Sequence, residues 1–270
     1  MKLLWIFLFV VEFQCHVVYR TRWPKYVPKK TYHKPRKPLD YCNGHLCPGN
    51  IKHLTCDIRF WAKRCGNEHE GIRLTEYRTD IEKMVNEFRR RVERGLGDLP
   101  RAKKLPTMRW DEDLSILAMR VSSQCSNHSI SPCVNTFRHK NVGESTDSAK
   151  IRSTSKGFNV LSFLKMWFEY YKGMKPADVS RFPNVSPADH LRVFANLIYE
   201  KNTFIGCGMM KVKSMRFLTC LFNERIMPKV QLYRIRKSRT VPLKPAPINL
   251  TETLEHTQKK KNEKNQEHFS

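Results

Sequence analysis

Cysteine provides the clearest reactive chemistry in this chain of 270 residues. Eight cysteines follow residue 15, with four crowded into one short segment and two pairs placed far downstream. They are Cys42, Cys47, Cys56, Cys65, Cys125, Cys133, Cys207 and Cys220. An even number of cysteines behind an apolar leader predicts a disulfide framework. Because the crowded segment cannot satisfy itself with local bridges alone, we expect some of its cysteines to pair with the distant ones and hold an irregular N-terminal loop on a folded core.

Four helices and one hairpin are predicted to form that core. Apolar residues recur at helical spacing in four stripes. The stripes are Ile81, Met84, Val85, Phe88 and Val92; Leu114, Leu117, Ala118, Val121 and Cys125; Val160, Leu161, Leu164, Trp167, Phe168 and Tyr171; and Leu191, Phe194, Leu197 and Ile198. Two short apolar runs, 204–210 and 217–222, predict a hairpin in which Cys207 faces Cys220. The polar stretch 134–158 is predicted to be loop, and the whole indicates an α+β domain over residues 41–233.

The N-terminus predicts export from the cell. Lys2 and the apolar run from Leu3 to Val11 have the charge and length of a signal peptide, and the run is too short to span a bilayer. We assign residues 1–18 to the signal peptide, with Cys15 removed and an uncleaved anchor as the alternative. No other transmembrane segment is predicted. Glycosylation sequons agree with a secreted, extracellular protein, although Pro187 disfavours the second; they begin at Asn127, Asn184 and Asn249.

The formal charge of +25 is distributed over three parts of the chain. Residues 19–40 hold eight basic residues and four prolines, which predicts an extended, solvated arm. Residues 234–270 carry a net +5, which predicts a disordered basic tail. The alternative is that a protease specific for basic residues cleaves the chain after Arg239 and releases the tail. Setting aside the +8 of residues 19–39 and the tail's +5 leaves a net +12 on residues 40–233.

This charge predicts a polyanionic partner. In an extracellular setting the candidates are a proteoglycan, a sialylated glycan, an anionic lipid or an acidic protein, and secretion argues against nucleic acid. The alternative is that the charge only keeps the protein soluble. We expect the arm to contact the polyanion through Lys25, Lys29, Lys30, Lys34, Arg36 and Lys37.

A series of short motifs runs through residues 41–233. They are Tyr41-Cys-x4-Cys47, His53-x-x-Cys56, Asn86-Glu-Phe-Arg89 with Gly95, Met108-Arg-Trp110-Asp111, Gln124-Cys125, Cys133-x-Asn135-Thr136, Gly143-Glu144, Trp167-Phe168, Gly206-Cys207 and Cys220-x-x-Asn223. In this order they resemble the antigen 5, cysteine-rich secretory and pathogenesis-related class 1 (CAP) superfamily, and within it the insect antigen 5-like branch. The resemblance implies an α-β-α sandwich whose residues 41–70 form a cysteine-rich loop region. It also implies the disulfides Cys42–Cys56, Cys47–Cys133, Cys65–Cys125 and Cys207–Cys220.

The resemblance also identifies a site that this chain has largely lost. The family's cleft usually carries two histidines and two glutamates, which suit a divalent metal such as zinc. The matching positions are Val85 and Val193 for the histidines and Tyr170 for one glutamate, so that only Glu144 remains. Because valine can neither bind a metal nor transfer a proton, we predict no metal, no cofactor and no catalytic residue here.

Substitute ligands are the contrary hypothesis for this site. His190 or His139 would then replace a missing histidine, although this requires a shifted register. Otherwise we expect His190 to be an exposed helix residue, and His128 and His139 to be loop residues.

The sequence thus predicts a non-enzymatic protein that acts by extracellular binding or signalling. The resemblance suggests that the protein occurs in a reproductive secretion, such as seminal fluid or a sperm-associated one, or in another glandular secretion. A lipid or sterol carrier is the alternative, because Val85 and Val193 make the cleft more apolar. A metal-dependent or serine hydrolase is disfavoured because Ser145, which we expect to be solvated, has no matching histidine.

Overall fold

The computed structural model describes residues 40–42, 46–49, 51–56, 59–126, 133–151, 157–186 and 189–237. All of them belong to a compact unit that starts at Asp40. The predicted leader, nearly all of the arm and the tail beyond residue 237 lie outside the described residues, as do Asn127, His128, Asn249 and Arg239. The six arm residues proposed to bind a polyanion lie outside them too.

Five α-helices and five β-strands make up the described fold. The helices are α1 (Arg78–Arg94), α2 (Glu112–Ser122), α3 (Val160–Glu169), α4 (Pro176–Ser180) and α5 (His190–Ile198). The strands are β1 (His69–Ile72), β2 (Arg109–Trp110), β3 (Gly143–Lys150), β4 (Phe204–Val212) and β5 (Met215–Phe222). Short 3-10 helices cover Lys63–Cys65, Thr75–Tyr77 and Tyr170–Gly173.

The helices begin where the sequence offers a cap. Asp111 accepts a hydrogen bond from the Leu114 N–H before α2, and Asp189 accepts one from the Leu191 N–H before α5. Asn159 forms a capping box with Ser162 at the start of α3. These side chains satisfy backbone donors that have no partner within the helix. The predicted stripes lie on α1, α2, α3 and α5, except that Cys125 follows the end of α2 and Tyr171 lies in the 3-10 helix after α3.

The sheet orders its strands β1-β4-β5-β3, and β2 pairs in parallel with β4. The predicted hairpin is β4 and β5, and Cys207 lies opposite Cys220. Helix α2 packs closely on one face, because a Cβ atom on Gly206 would lie 2.2 Å from Ser115 N and one on Gly208 would lie 2.2 Å from Met119 N. Helices α1, α3 and α5 pack against one another, and their buried side chains share the main core with those of β4 and β5. The result is an α-β-α sandwich.

Four disulfides hold the cysteine-rich segment and the hairpin. They are Cys42–Cys56, Cys47–Cys133, Cys65–Cys125 and Cys207–Cys220. These are the pairs that the family resemblance implies. Two of them span 86 and 60 residues of sequence, so that they join the N-terminal segment to the chain that follows α2. Cross-links that close such long loops constrain the unfolded chain most strongly.

The prediction of loop over residues 134–158 is wrong for residues 143–150, which form β3. This strand pairs with β5 along its whole length, from Gly143 opposite Phe222 to Lys150 opposite Met215. Its sequence, GESTDSAK, has no alternation of apolar and polar residues. The strand can nevertheless lie in the sheet because its polar side chains have hydrogen-bond partners; for example, Thr146 Oγ1 lies 3.0 Å from Thr219 Oγ1. Backbone pairing and side-chain hydrogen bonds therefore override the weak intrinsic strand preference of this segment.

Candidate functional site

The two positions that the resemblance assigns to histidines are filled by buried valines. Val85 lies on α1 and is 0% exposed, and Val193 lies on α5 and is 1% exposed. Both belong to the main hydrophobic core, which also contains Phe88, Phe168 and Phe194. Apolar side chains at full burial stabilise the fold by about 1.5–3 kcal/mol each. These positions therefore contribute to packing, and neither offers a lone pair to a metal.

Tyr170 takes part in a hydrogen-bonded cluster that we call the Asp147 latch, formed by Asp147, Trp167 and Tyr170. The Tyr170 hydroxyl donates to Asp147 Oδ2 at 3.2 Å, and Trp167 Nε1 donates to the same oxygen at 3.1 Å. The other carboxylate oxygen accepts the Ser148 N–H at 2.7 Å. The latch joins β3 to the end of α3, and it uses both carboxylate oxygens of Asp147 internally.

The latch changes the acidity of Tyr170. Burial, followed by the negative charge of Asp147 and the hydrogen bond to it, raises the pKa of Tyr170 above its ordinary value. The tyrosine therefore stays neutral at physiological pH and acts only as a hydrogen-bond donor to Asp147. Sequence reasoning missed Asp147, since it assigned the segment to a loop.

His190 is the first residue of α5 and is exposed, as predicted. Its ring stacks on Tyr170 with a centroid distance of 4.0 Å and an interplanar angle of 2°. In the part of the chain that the structure describes, no group of three or more histidine, cysteine, aspartate or glutamate side chains is placed to hold a metal ion. The position of His190 thus supports packing on Tyr170 in place of metal binding.

His139 lies in a loop, as predicted, but it is buried and makes its contact with Asp111. His139 Nε2 lies 3.2 Å from Asp111 Oδ2, and Arg138 Nη1 donates to that same oxygen at 2.7 Å. Burial alone would raise the pKa of the Asp111 carboxyl, but hydrogen bonds from the Leu114 N–H and His139, with the charges of His139 and Arg138, hold the pKa below its usual value. These contacts fasten the loop to the N-terminus of α2.

Glu144 and Ser145 are placed by β3, and they face in opposite directions because successive strand residues alternate. Thr146 Oγ1 donates to Glu144 Oε1 at 2.8 Å. Ser145 is 0% exposed, so the prediction that it is solvated is wrong; Asn196 Nδ2 donates to its Oγ at 3.0 Å. The partner of this serine is an amide, which cannot act as a general base in a nucleophilic site.

A separate pocket of about 350 Å3 opens between the start of β3, helix α5 and the chain that follows β5. We call it the arginine pocket, because Arg192 and Arg225 line it together with Gly143, Glu144 and Asn196. Asn184, the described sequon asparagine, is exposed and also lines this pocket. Sequence reasoning missed the pocket, because its two arginines are 33 positions apart in the chain and only the fold brings them together.

No helix among the described residues combines the length and apolar character needed to cross a bilayer.

Comparison with known proteins gives a consistent result. The family model for the cysteine-rich secretory protein family (CAP) matches residues 82–222. Tabinhibitin 3 from Tabanus yao is 27% identical over 203 residues, which cover 73% of this chain and 79% of that protein. Venom allergen 5 from Dolichovespula arenaria is 29% identical over 183 residues, which cover 64% of this chain and 85% of the relative.

Solved structures also align with this chain. A venom allergen-like protein 4 from Schistosoma mansoni aligns with a TM-score of 0.49 and 18% identity, covering 61% of this chain and 97% of that chain. The family match extends over just more than half of the 270 residues and contains α2, α3, α5 and the β3–β5 sheet. This chain therefore belongs to the cysteine-rich secretory protein (CAP) family, among antigen 5-like relatives.

Proposed function

We propose that this protein is a secreted, non-enzymatic member of the family that acts by extracellular binding or signalling. The observation that carries the proposal is the burial of Val85 and Val193 at both positions matched to histidine. The four disulfides are present, whereas both positions that the resemblance matches to histidine hold apolar core residues. A binding role needs the scaffold and does not need those groups.

The polar residues that remain near the matched positions support the same proposal. Asp147 is hydrogen-bonded to Trp167 and Tyr170, and Ser145 is bonded to an amide. A nucleophile needs an adjacent base, and the amide beside Ser145 is not one. Both oxygens of Asp147 already accept hydrogen bonds within the protein, so we assign no catalytic role to these side chains.

Secretion is supported by the predicted leader and by relatives that carry the names venom allergen and tabinhibitin. We extend this to a glandular or reproductive fluid, such as seminal fluid, as the source of the protein. The basic arm, with its eight lysines and arginines, would attach the protein to a cell-surface polyanion such as a proteoglycan, glycan or anionic lipid.

The packing of Val85 and Val193 favours this binding role over lipid or sterol carriage within the same cleft. Both side chains are in the main core, where they fill space that a carried lipid would need. Solvent extraction of the purified protein should therefore release no stoichiometric lipid. Recovery of one lipid per chain would favour the carrier function instead.

Three measurements test the proposal. After incubation with zinc and gel filtration, elemental analysis should find no stoichiometric metal; one tightly bound zinc per chain would contradict the non-enzymatic assignment. Affinity capture from the extracellular fluid that contains the protein, followed by identification of what it retains, should recover a specific partner. Heparin binding that weakens with salt should decrease when residues 19–39 are deleted, and unchanged binding would refute the role of the arm.

A further inference from the structure

The arginine pocket contains one guanidinium that the protein holds in place without an acidic partner. Arg192 Nη1 donates to the Ile226 carbonyl at 2.8 Å, and Nη2 donates to the Val185 carbonyl at 3.0 Å. Its Nε is buried and has no hydrogen-bond partner. The group also lies over the Phe182 ring, 5.4 Å from the centroid. Neutral carbonyls orient this cation but do not neutralise it.

A second guanidinium stands close enough to interact with the first. Arg225 is exposed, and its Nε donates to the Val142 carbonyl at 3.2 Å. Among the described residues, neither arginine has a carboxylate within ion-pair distance. Burial, and next the charge of Arg225, lower the pKa of Arg192, although Asp189 opposes this. Two cations that share a pocket repel each other, and an anion bound there would relieve that repulsion.

A buried acceptor in the same pocket also lacks a partner. Asn196 is 1% exposed, and its Nδ2 is fully used by the Glu144 carbonyl at 3.1 Å and Ser145 Oγ at 3.0 Å. The Glu144 carbonyl can only accept, which fixes which end of the amide is the nitrogen. Asn196 Oδ1 has no hydrogen-bond partner and lies 3.4 Å from the position of a Cβ on Gly143, another residue of the pocket wall. A buried acceptor left unpaired costs about 1–3 kcal/mol, so a ligand hydroxyl that donates to it would bind favourably.

We propose that the arginine pocket binds an acidic saccharide unit, whose carboxylate or sulfate lies against Arg192 and Arg225 while a neighbouring hydroxyl donates to Asn196. The proposal rests on the extracellular binding function above and assigns it a ligand class. A volume of about 350 Å3 falls at the lower end of the range for small-ligand pockets, which suits one sugar residue. An acidic peptide would supply the carboxylate but has no hydroxyl fixed beside it, so the unpaired amide oxygen favours the saccharide.

The residues that line the pocket come from β3, α5, Asn184, Val185 and residues 225–228, and none of them belongs to the sequence range of the predicted arm. A glycan attached at Asn184 would begin at the pocket wall and compete with an added ligand. The experiment therefore uses full-length protein that carries Asn184→Gln in every sample.

The test is a calorimetric or NMR titration with 3′-sialyllactose, with lactose as the matched neutral sugar and inorganic sulfate as the matched simple anion. Three variants are compared: Arg225→Gln removes the charge, Arg225→Lys retains it without the guanidinium fork, and Arg236→Gln removes an exposed arginine outside the pocket. A thermal melt of each variant shows that it is folded.

We expect saturable binding of sialyllactose at one site, with lactose and sulfate each at least tenfold weaker. Arg225→Gln should weaken binding by about tenfold, which corresponds to ~1.4 kcal/mol. Arg225→Lys should have a smaller effect, and Arg236→Gln should have none. Equal losses in Arg225→Gln and Arg236→Gln would show non-specific charge attraction and overturn the proposal.

Other outcomes are equally decisive. Sulfate binding as tight as sialyllactose would refute the saccharide, and tight binding of a glutamate-containing peptide in place of the sugar would assign the pocket to protein recognition. An absence of saturation at roughly 10 mM ligand also contradicts the proposal, since such affinity lies below ~3 kcal/mol. If affinity capture nevertheless recovers an extracellular partner that Arg225→Gln still binds, the proposed function stands and only the ligand assignment fails.

Discussion

The Asp147 latch and the arginine pocket are both built in part from β3. The polar groups of the latch have hydrogen-bond partners within the protein, whereas some polar groups of the pocket have none. In the latch, both oxygens of Asp147 accept hydrogen bonds within the protein. In the pocket, two arginines have no described acidic partner, and the Asn196 oxygen has no hydrogen-bond partner. A polar group whose bonds are satisfied within the protein stabilises the fold, whereas an unsatisfied one is available to a ligand.

This contrast bears on the site that the family resemblance assigns. Val85 and Val193, the positions that the resemblance matches to histidine, are buried in the main core. Asp147 and Tyr170 form a structural contact between β3 and the 3-10 helix that follows α3. Recognition is therefore best sought where the polar groups are still unpaired, in the pocket at the start of β3.

The largest expected effect comes from returning histidine to both valine positions. The double variant Val85→His, Val193→His places larger, polar rings in a packed core and should lower the free energy of unfolding by about 3 kcal/mol. Urea unfolding measures this. Added zinc should not raise the melting temperature, because Tyr170 remains at the matched glutamate position.

A matched control is Lys83→His on the exposed face of α1, which should change stability by less than about 0.5 kcal/mol. A large zinc-dependent stabilisation of the double variant would contradict the view that the cleft has become core, because a ligand stabilises only a state that binds it.

Removal of the latch acceptor should have the next largest effect. Asp147→Ala leaves Trp167 Nε1 and the Tyr170 hydroxyl without their acceptor, which should cost about 1–3 kcal/mol of unfolding free energy. Tyr170→Phe removes one donor and should cost about 1 kcal/mol. Glu169→Ala, next to the latch in sequence but exposed, serves as the control and should be nearly neutral. Equal stabilities of Asp147→Ala and wild type would show that the latch is not structural.

The titration of Tyr170 should contribute to the pH dependence of stability. The pKa of Tyr170 is raised by burial and by Asp147 above the ordinary value of about 10. As pH rises, the unfolded phenol loses its proton first, so the contribution of Tyr170 is complete below about pH 10 and decreases above it. Tyr170→Phe should therefore lose less stability than wild type between pH 9 and pH 11 in urea titrations. An identical pH dependence in the two proteins would show that Tyr170 makes no such contribution.

The smallest stability effect is expected in the pocket. Arg225 is exposed, so Arg225→Gln should change the free energy of unfolding by less than about 0.5 kcal/mol while weakening ligand binding. Arg192→Gln should cost more, about 1–2 kcal/mol, because its donors serve the carbonyls of Val185 and Ile226. Thermal melts measure both. A strongly destabilised Arg225→Gln would mean that this arginine is a structural residue, and the contrast between the two regions would disappear.

Sequence reasoning reached the family, the helices and the hairpin, because periodic apolar residues and ordered motifs are local features. The resemblance also assigned Val85, Tyr170 and Val193 to positions of the family's site, which stays a prediction. It failed at β3, where polar residues without alternation concealed a strand that pairs fully with β5. The error extended to Ser145, expected to be solvated, and to Asp147, which was not considered.

By itself, then, the sequence determined which side chains are available: valine in place of histidine, a framework of eight cysteines and an excess of positive charge. Tertiary structure alone decided which of them meet. Asp147 binds Trp167, which is 20 positions further along the chain, and Tyr170, which is 23 positions further. Arg192 and Arg225 line the same pocket. Hydrogen bonding and repulsion between charges act over a few ångströms of space, so their partners depend on strand pairing and helix packing more than on distance along the chain.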